Sequence, residues 1–109
     1  MSDFFDREGN PIDVSKWGRF FEDLDYKIVA RDVLDDGKVV STVWMGVDHN
    51  YFGDEGDSPI IFETTVFVDE DGCTDLYMNR YSTEAEALEG HKHAVELAPT
   101  LEVVDYDQS

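Results

Sequence analysis

The side chains best suited to chemistry lie in separate parts of the sequence. Asp48 and His49 follow one predicted strand, Glu63 interrupts another, and His91 lies on the apolar stripe of a predicted helix. If this helix packs on the sheet, His91 can approach Glu63 or His49, and two histidines with a carboxylate can bind a divalent metal or act as an acid–base pair. The alternative is a buried histidine whose ring is hydrogen-bonded by a backbone carbonyl or by Glu63. Arg80 is the expected partner of Glu63, and we expect that ion pair to be structural rather than catalytic.

The loop that begins at Asp48 offers a second arrangement, because calcium binds several carboxylate and amide oxygens in one loop. Its spacing is not that of an EF-hand, and an acidic loop in water is the simpler interpretation. The oxygen-bearing residues are Asp48, Asn50, Asp54, Glu55 and Asp57. The sequence contains no P-loop, dinucleotide-binding or nucleophile-elbow motif and no zinc-ligand spacing. We therefore expect no enzymatic activity, no cofactor and no bound metal.

The chain is strongly acidic. Of its 109 residues, 26 are Asp or Glu and 8 are Lys or Arg, which gives a formal net charge of −18. That charge excludes binding to nucleic acid or to an anionic membrane by general electrostatic attraction. The hydrophobic fraction of 41% is too high for a disordered acidic tail, so we expect a folded core. Residues 1–38 contain ten acidic and six basic residues, whereas residues 39–109 contain sixteen and two.

Eight carboxylates in this acidic second part form the candidate binding surface. Four lie in or beside a turn, and four lie on a C-terminal helix away from its apolar stripe. They are Asp69, Glu70, Asp71, Asp75, Glu84, Glu86, Glu89 and Glu96. Such a surface favours a protein partner with a basic surface, for example a nucleic-acid-binding protein, and steers its association. A sharper alternative is a DNA mimic whose carboxylates stand in for phosphates, and the simplest is that the charge only keeps the protein soluble.

Hydrophobic periodicity predicts two helices. Asp13 or Ser15 can cap a helix that ends near Phe21, with apolar residues at helical spacing. Thr83-Glu84-Ala85-Glu86 fits a capping box at the start of a second helix, which Pro99 ends. Around them, short extended pieces are predicted near Phe4 and Ile12.

Alternating apolar residues predict strands at 26–34, 39–47, 60–68 and 75–81, with Asp-Gly turns at 36–37 and 71–72. We predict an α+β fold, in which an antiparallel sheet of about four strands carries an N-terminal helix and a C-terminal helix packed on it. Residues 1–109 form a single predicted domain with a short frayed tail near 105–109. Leu101, Val103 and Val104 can add a short edge strand.

The cellular location follows from what the sequence lacks. Cys73 is the only cysteine, so no intrachain disulfide can form, and its carboxylate neighbours disfavour a reactive thiolate. The first residues have neither the basic nor the apolar region of a signal peptide. No apolar stretch approaches the ~20 residues that span a bilayer. We expect a cytoplasmic protein, and the sequence leaves its oligomeric state open.

Four short patterns occur in order along the chain: W-x-G-x-D-H at 44–49, I-F-E-T-x-V-F at 61–67, R-Y-x-T at 80–83 and E-A-x-x-G-H at 86–91. Together they resemble a group of small acidic proteins encoded by bacteriophages of actinobacteria and by prophages of their hosts. The residues at 5–12 are similar but less distinctive. The resemblance implies a phage origin and an accessory role in the host cytoplasm, and no mechanism. A minor virion component is a further alternative.

Overall fold

The N-terminal part of the chain folds into two short strands and two helices that pack beside the main sheet. The computed structural model describes residues 4–48, 59–72 and 74–101. Two short antiparallel strands, β1 (Phe4–Phe5) and β2 (Pro11–Ile12), precede the helices α1 (Val14–Glu22) and α2 (Leu24–Lys27). Asp13 caps α1, because its carboxylate accepts from the Lys16 amide at 2.8 Å. The predicted extended pieces and the predicted start of the first helix are confirmed.

The main sheet is an antiparallel meander in the order β3-β4-β5-β6. Its strands are β3 (Ile28–Val33), β4 (Val39–Trp44), β5 (Phe62–Phe67) and β6 (Asp75–Tyr81). Both predicted Asp-Gly turns occur, with Gly37 at φ 90° and Gly72 at φ 68°, in the left-handed region that favours glycine. The predicted α+β class and the four-stranded antiparallel sheet are confirmed.

Two strand ends differ from the predicted bounds. β3 begins at Ile28 rather than Tyr26, because the Asp23 carboxylate accepts from the amides of Asp25 and Tyr26 and so starts the short helix α2. β4 ends at Trp44 rather than Val47, because Gly46 takes φ 72° and turns the chain toward the N-terminal strands. There the Phe5 amide donates to the Gly46 carbonyl at 2.9 Å.

The C-terminal helix α3 (Glu84–Leu97) lies on one face of the sheet and contacts all four strands, and a short 3-10 turn (Ala98–Thr100) follows it. Alternation along the strands directs every second side chain toward α3. The fully buried side chains on this face are Val40, Thr42, Trp44, Phe62, Thr64 and Val66. Small residues let α3 and the turn after it approach closely, since Ala87 and Ala94 of the helix and Ala98 of the turn are also fully buried.

The N-terminal helix packs differently from the prediction. α1 contacts the sheet near the end of β4, where Phe20 and Phe21 pack near the Trp44 ring and the Trp17 indole donates to the Met45 carbonyl at 3.0 Å. It belongs to a group with β1, β2 and α2 and does not lie across the strands as α3 does. The predicted strand at 103–104 and the predicted tail at 105–109 lie outside the described residues.

Candidate functional site

The exposed carboxylates of α3 follow from the side of the helix that is buried. The helix begins at Thr83, whose hydroxyl accepts from the Glu86 amide at 3.1 Å, as the capping box predicted. The residues that face the sheet recur at helical spacing, so the positions between them turn toward solvent. The exposed acidic residues are Glu86, Glu89 and Glu96. In this set, Glu89 lies 3.5 Å from the ammonium of Lys92, and both side chains are largely exposed.

Glu84 does not share that exposed surface. Its carboxylate accepts from the Arg7 Nε at 2.7 Å, and a second guanidinium nitrogen of Arg7 donates to the Tyr26 carbonyl at 3.1 Å. Glu84 is half-buried, and its side chain ties the N-terminal unit to the first turn of α3. The structure therefore gives Glu84 a structural contact in place of the solvent-facing position predicted for it.

The turn between β5 and β6 carries the other predicted carboxylates. All four are exposed: Asp69, Glu70, Asp71 and Asp75. Within the turn the Asp71 amide donates to the Asp69 carboxylate at 3.0 Å, and Glu70 lies 3.9 Å from Arg31. Because the last turns of α3 pack on Val40 and Val66, near this end of the sheet, Glu96 lies toward the same end as the turn. Glu86 and Glu89 lie nearer the other end, because the first turns of α3 pack on Trp44 and Phe62.

Glu63 and Arg80 form the predicted ion pair. They are directly opposite in the β5–β6 register, and the Arg80 Nε lies 3.2 Å from the Glu63 carboxylate. The Thr65 hydroxyl also donates to Glu63, at 3.2 Å. Alternation places these three side chains on the face of the sheet opposite α3.

His91 is buried and hydrogen-bonded through both ring nitrogens. Its Nδ1 lies 2.7 Å from the Thr42 hydroxyl and its Nε2 lies 2.6 Å from the Asp32 carboxylate, while Thr42 lies 2.6 Å from the Thr64 hydroxyl. In the tautomer whose proton is on Nε2, this nitrogen donates to the Asp32 carboxylate and Nδ1 accepts from the Thr42 hydroxyl. The predicted alternative of a buried, satisfied histidine is confirmed, but its partners are Asp32 and Thr42 rather than Glu63. His91 and Glu63 lie on opposite faces of the sheet, so these two side chains do not share one site.

Tyr81, on the last strand, lies near the Thr64 end of this chain of polar groups. Burial raises the pKa of the Tyr81 phenol above its ordinary value, and a hydrogen bond with Thr64 partly opposes that rise. The hydrogen-bonded polar side chains under α3 thus run from Asp32 on β3 through His91 and Thr42 to Thr64 on β5. We call this chain, Asp32–His91–Thr42–Thr64, the polar ladder. Its Thr42 and Thr64 side chains are fully buried.

The acidic loop can be described only at its start. The Asp48 carboxylate accepts from the Ile60 amide at 2.9 Å, and this bond closes the loop. His49 and the remaining calcium candidates, Asn50, Asp54, Glu55 and Asp57, lie outside the described residues. Among residues 4–48, 59–72 and 74–101, no group of three His, Cys, Asp or Glu side chains is placed to hold a metal ion.

One feature of this region was missed by the sequence analysis. An open groove of about 540 Å³ runs between β6 and α3. Its lining residues are Asn79, Tyr81, Ala85, Glu86, Glu89, Gly90 and His93. The Tyr81 ring lies so close to Gly90 that an added Cβ would overlap it. A glycine in the middle of a predicted helix, where it costs stability, was the signal of this close approach.

The comparisons with known proteins add no relative. No protein-family model, no curated protein and no solved structure matches the chain. In the described part of the chain, no helix has the length and apolar character needed to cross a membrane. The functional argument therefore rests on the chemistry and position of the side chains above.

Proposed function

We propose that this chain is a non-enzymatic accessory protein of phage origin that binds a host or phage protein with a basic surface in the host cytoplasm. The observation that carries the proposal is the exposed carboxylate surface of α3 and of the β5–β6 turn. Arg80 and Lys92 are the only basic residues of the acidic second part, and each already lies beside a carboxylate. The surface therefore keeps a large excess of negative charge. The resemblance to actinobacteriophage proteins supports the phage origin.

A strong field from one face accelerates encounter with an oppositely charged partner. Exposed charges are screened within about 8–10 Å at physiological ionic strength, so binding through this surface weakens as salt rises. We expect binding of the partner to depend on which carboxylates are neutralised, and not only on the net charge of the chain.

The test is affinity capture from an actinobacterial lysate at low and at high salt. One variant neutralises the helix surface by Glu86→Gln, Glu89→Gln and Glu96→Gln. A matched control removes the same charge from the N-terminal half by Glu22→Gln, Asp25→Asn and Asp35→Asn, at positions that are also exposed. We expect one protein to be captured at low salt, released at high salt, lost with the helix variant and kept with the control.

Capture that is insensitive to salt, or that both variants reduce equally, would contradict the proposal. If the captured protein binds DNA, and DNA competes with this chain for it, the acidic surface acts as a DNA mimic. If DNA does not compete, the surface recognises a different basic site on the partner.

A further inference from the structure

The groove between β6 and α3 combines an exposed strand edge with an apolar floor and an acidic rim. We propose that it binds an extended segment of the partner protein with Lys or Arg at alternate positions, laid along β6. This inference rests on the proposed function, because it assigns the binding mode of the same basic partner.

The lining matches the two parts of a lysine or arginine side chain. The floor is apolar, formed by the Tyr81 ring, Ala85 and the bare backbone of Gly90, and Glu86 and Glu89 stand beside it. Long basic side chains lay their aliphatic stem on apolar surface and keep the charged head in a polar setting. A cation over an aromatic face gains further attraction. Because the contact of Glu89 with Lys92 is long, at 3.5 Å, and both side chains are exposed, an incoming cation can replace it at little cost.

The strand beside the groove can add a further strand. In the described chain β6 pairs on one side only, with β5, and its central residues Met78, Asn79 and Arg80 are exposed. The Arg80 amide donates to the side chain of its neighbour Asn79 at 2.9 Å, a bond that a peptide carbonyl can replace. Strand addition of this kind supplies affinity from the main chain, while alternate side chains supply specificity.

The alternation of basic and apolar residues expected in the bound segment follows from the two faces of β6. Asn79 and Tyr81 face the groove, whereas Met78 and Arg80 face the other side of the sheet. Side chains two apart on a strand are about 6.6–6.8 Å apart, and Glu86 and Glu89, at i and i+3, are about 5–6 Å apart. Two alternate basic side chains can therefore reach the two glutamates. The side chains between them meet Met78 and Arg80, where apolar residues fit and a further base is repelled.

The experiment uses the full chain labelled with ¹⁵N and a synthetic peptide of alternating Lys and Val. A peptide of the same composition, with its lysines in one block and its valines in another, is the matched control peptide. We expect the alternating peptide to shift the amide signals of 75–81 and 85–93, and to bind more tightly than the block peptide. Slowed hydrogen exchange at β6 amides would show that a strand has been added.

Two exposed helix positions supply matched variants. Ala85→Lys places a like charge in the groove, whereas Leu88→Lys adds the same charge to α3 outside the groove lining. We expect Ala85→Lys to weaken peptide binding about tenfold or more, and Leu88→Lys to change it far less. Equal weakening by both, or shifts spread over all the acidic surface, would overturn the groove while leaving the proposed function intact. Absence of peptide binding at low salt would also overturn the groove, and lysate capture would then decide the proposed function by itself.

Discussion

Thr42→Val is the sharpest test of the polar ladder. Valine keeps the shape of threonine but removes the hydroxyl that bonds both His91 and Thr64. His91 is only 5% exposed, so water cannot replace the lost bond at Nδ1. We expect the protein to fold and to be clearly less stable.

The magnitude follows from the groups left without partners. An unsatisfied buried polar group costs about 1–3 kcal/mol. The Thr64 hydroxyl loses the same partner, but it can rotate toward the nearby Tyr81 phenol, so the His91 nitrogen bears the larger penalty. The added methyl group and the higher strand propensity of valine return less than about 1 kcal/mol. The expected loss in unfolding free energy is therefore about 2 kcal/mol.

Urea unfolding measures this loss directly. With a slope of about 1–3 kcal/mol per molar urea, a loss of about 2 kcal/mol lowers the midpoint by about 1 M. Thr65→Val is the matched control, because the same change lies one residue along β5 from Thr64 on the opposite face. The Thr65 hydroxyl donates to Glu63, which keeps its ion pair with Arg80 after the change, so we expect a loss below about 1 kcal/mol.

A second variant separates the lost bond from altered packing. Adding His91→Leu to Thr42→Val removes the orphaned nitrogen, and replacing both partners with apolar groups is often nearly neutral. We expect the double variant to be at least as stable as Thr42→Val alone. Two results would contradict this argument. One is a loss of unfolding free energy in Thr42→Val no larger than that in Thr65→Val. The other is a double variant that is clearly less stable than Thr42→Val alone.

Two further changes probe close packing and buried phenols. Gly90→Ala improves helix propensity by about 1 kcal/mol but forces a Cβ against Tyr81, so we expect a lower melting temperature. The control Gly18→Ala, in α1, adds a Cβ that meets nothing within 4 Å, so we expect a higher melting temperature. A rise in melting temperature for both variants would contradict the packing argument. Burial raises the pKa of Tyr26 and of Tyr81 above the ordinary value of 10.0, so the unfolded chain loses these protons first. The stability that these two phenols contribute is complete below pH 10 and is lost as pH rises through their folded pKa values. We therefore expect the urea midpoint to fall less steeply from pH 8 to 11.5 in Tyr26→Phe and in Tyr81→Phe than in the parent chain.

The sequence predicted the helices, strands and turns because the signals that specify them act between residues close together in the chain. Thr83 and Glu86 specify the start of α3, and an Asp-Gly pair specifies each hairpin turn. The partner of His91 could not be found in this way, because Asp32 lies 59 residues away on the edge strand. That contact depends on the position of α3 along the sheet, which local patterns do not determine. The groove could not be predicted from the sequence for the same reason, since it is the gap between β6 and α3 and not a property of either element alone.

The polar ladder also explains why the groove has a defined shape. The contact between α3 and the sheet is lined by alanines, and small apolar residues resist sliding of a helix poorly. A buried hydrogen-bonded side chain fits only one helix position, because any shift leaves His91 and Thr42 without partners. The position of α3 in turn places Gly90 against Tyr81 and sets Glu86 and Glu89 beside β6. The buried hydrogen bonds under the helix thus fix the spacing of the charges on its outer edge. A surface whose binding depends on that spacing therefore depends on His91, although His91 lies under the helix and not in the groove.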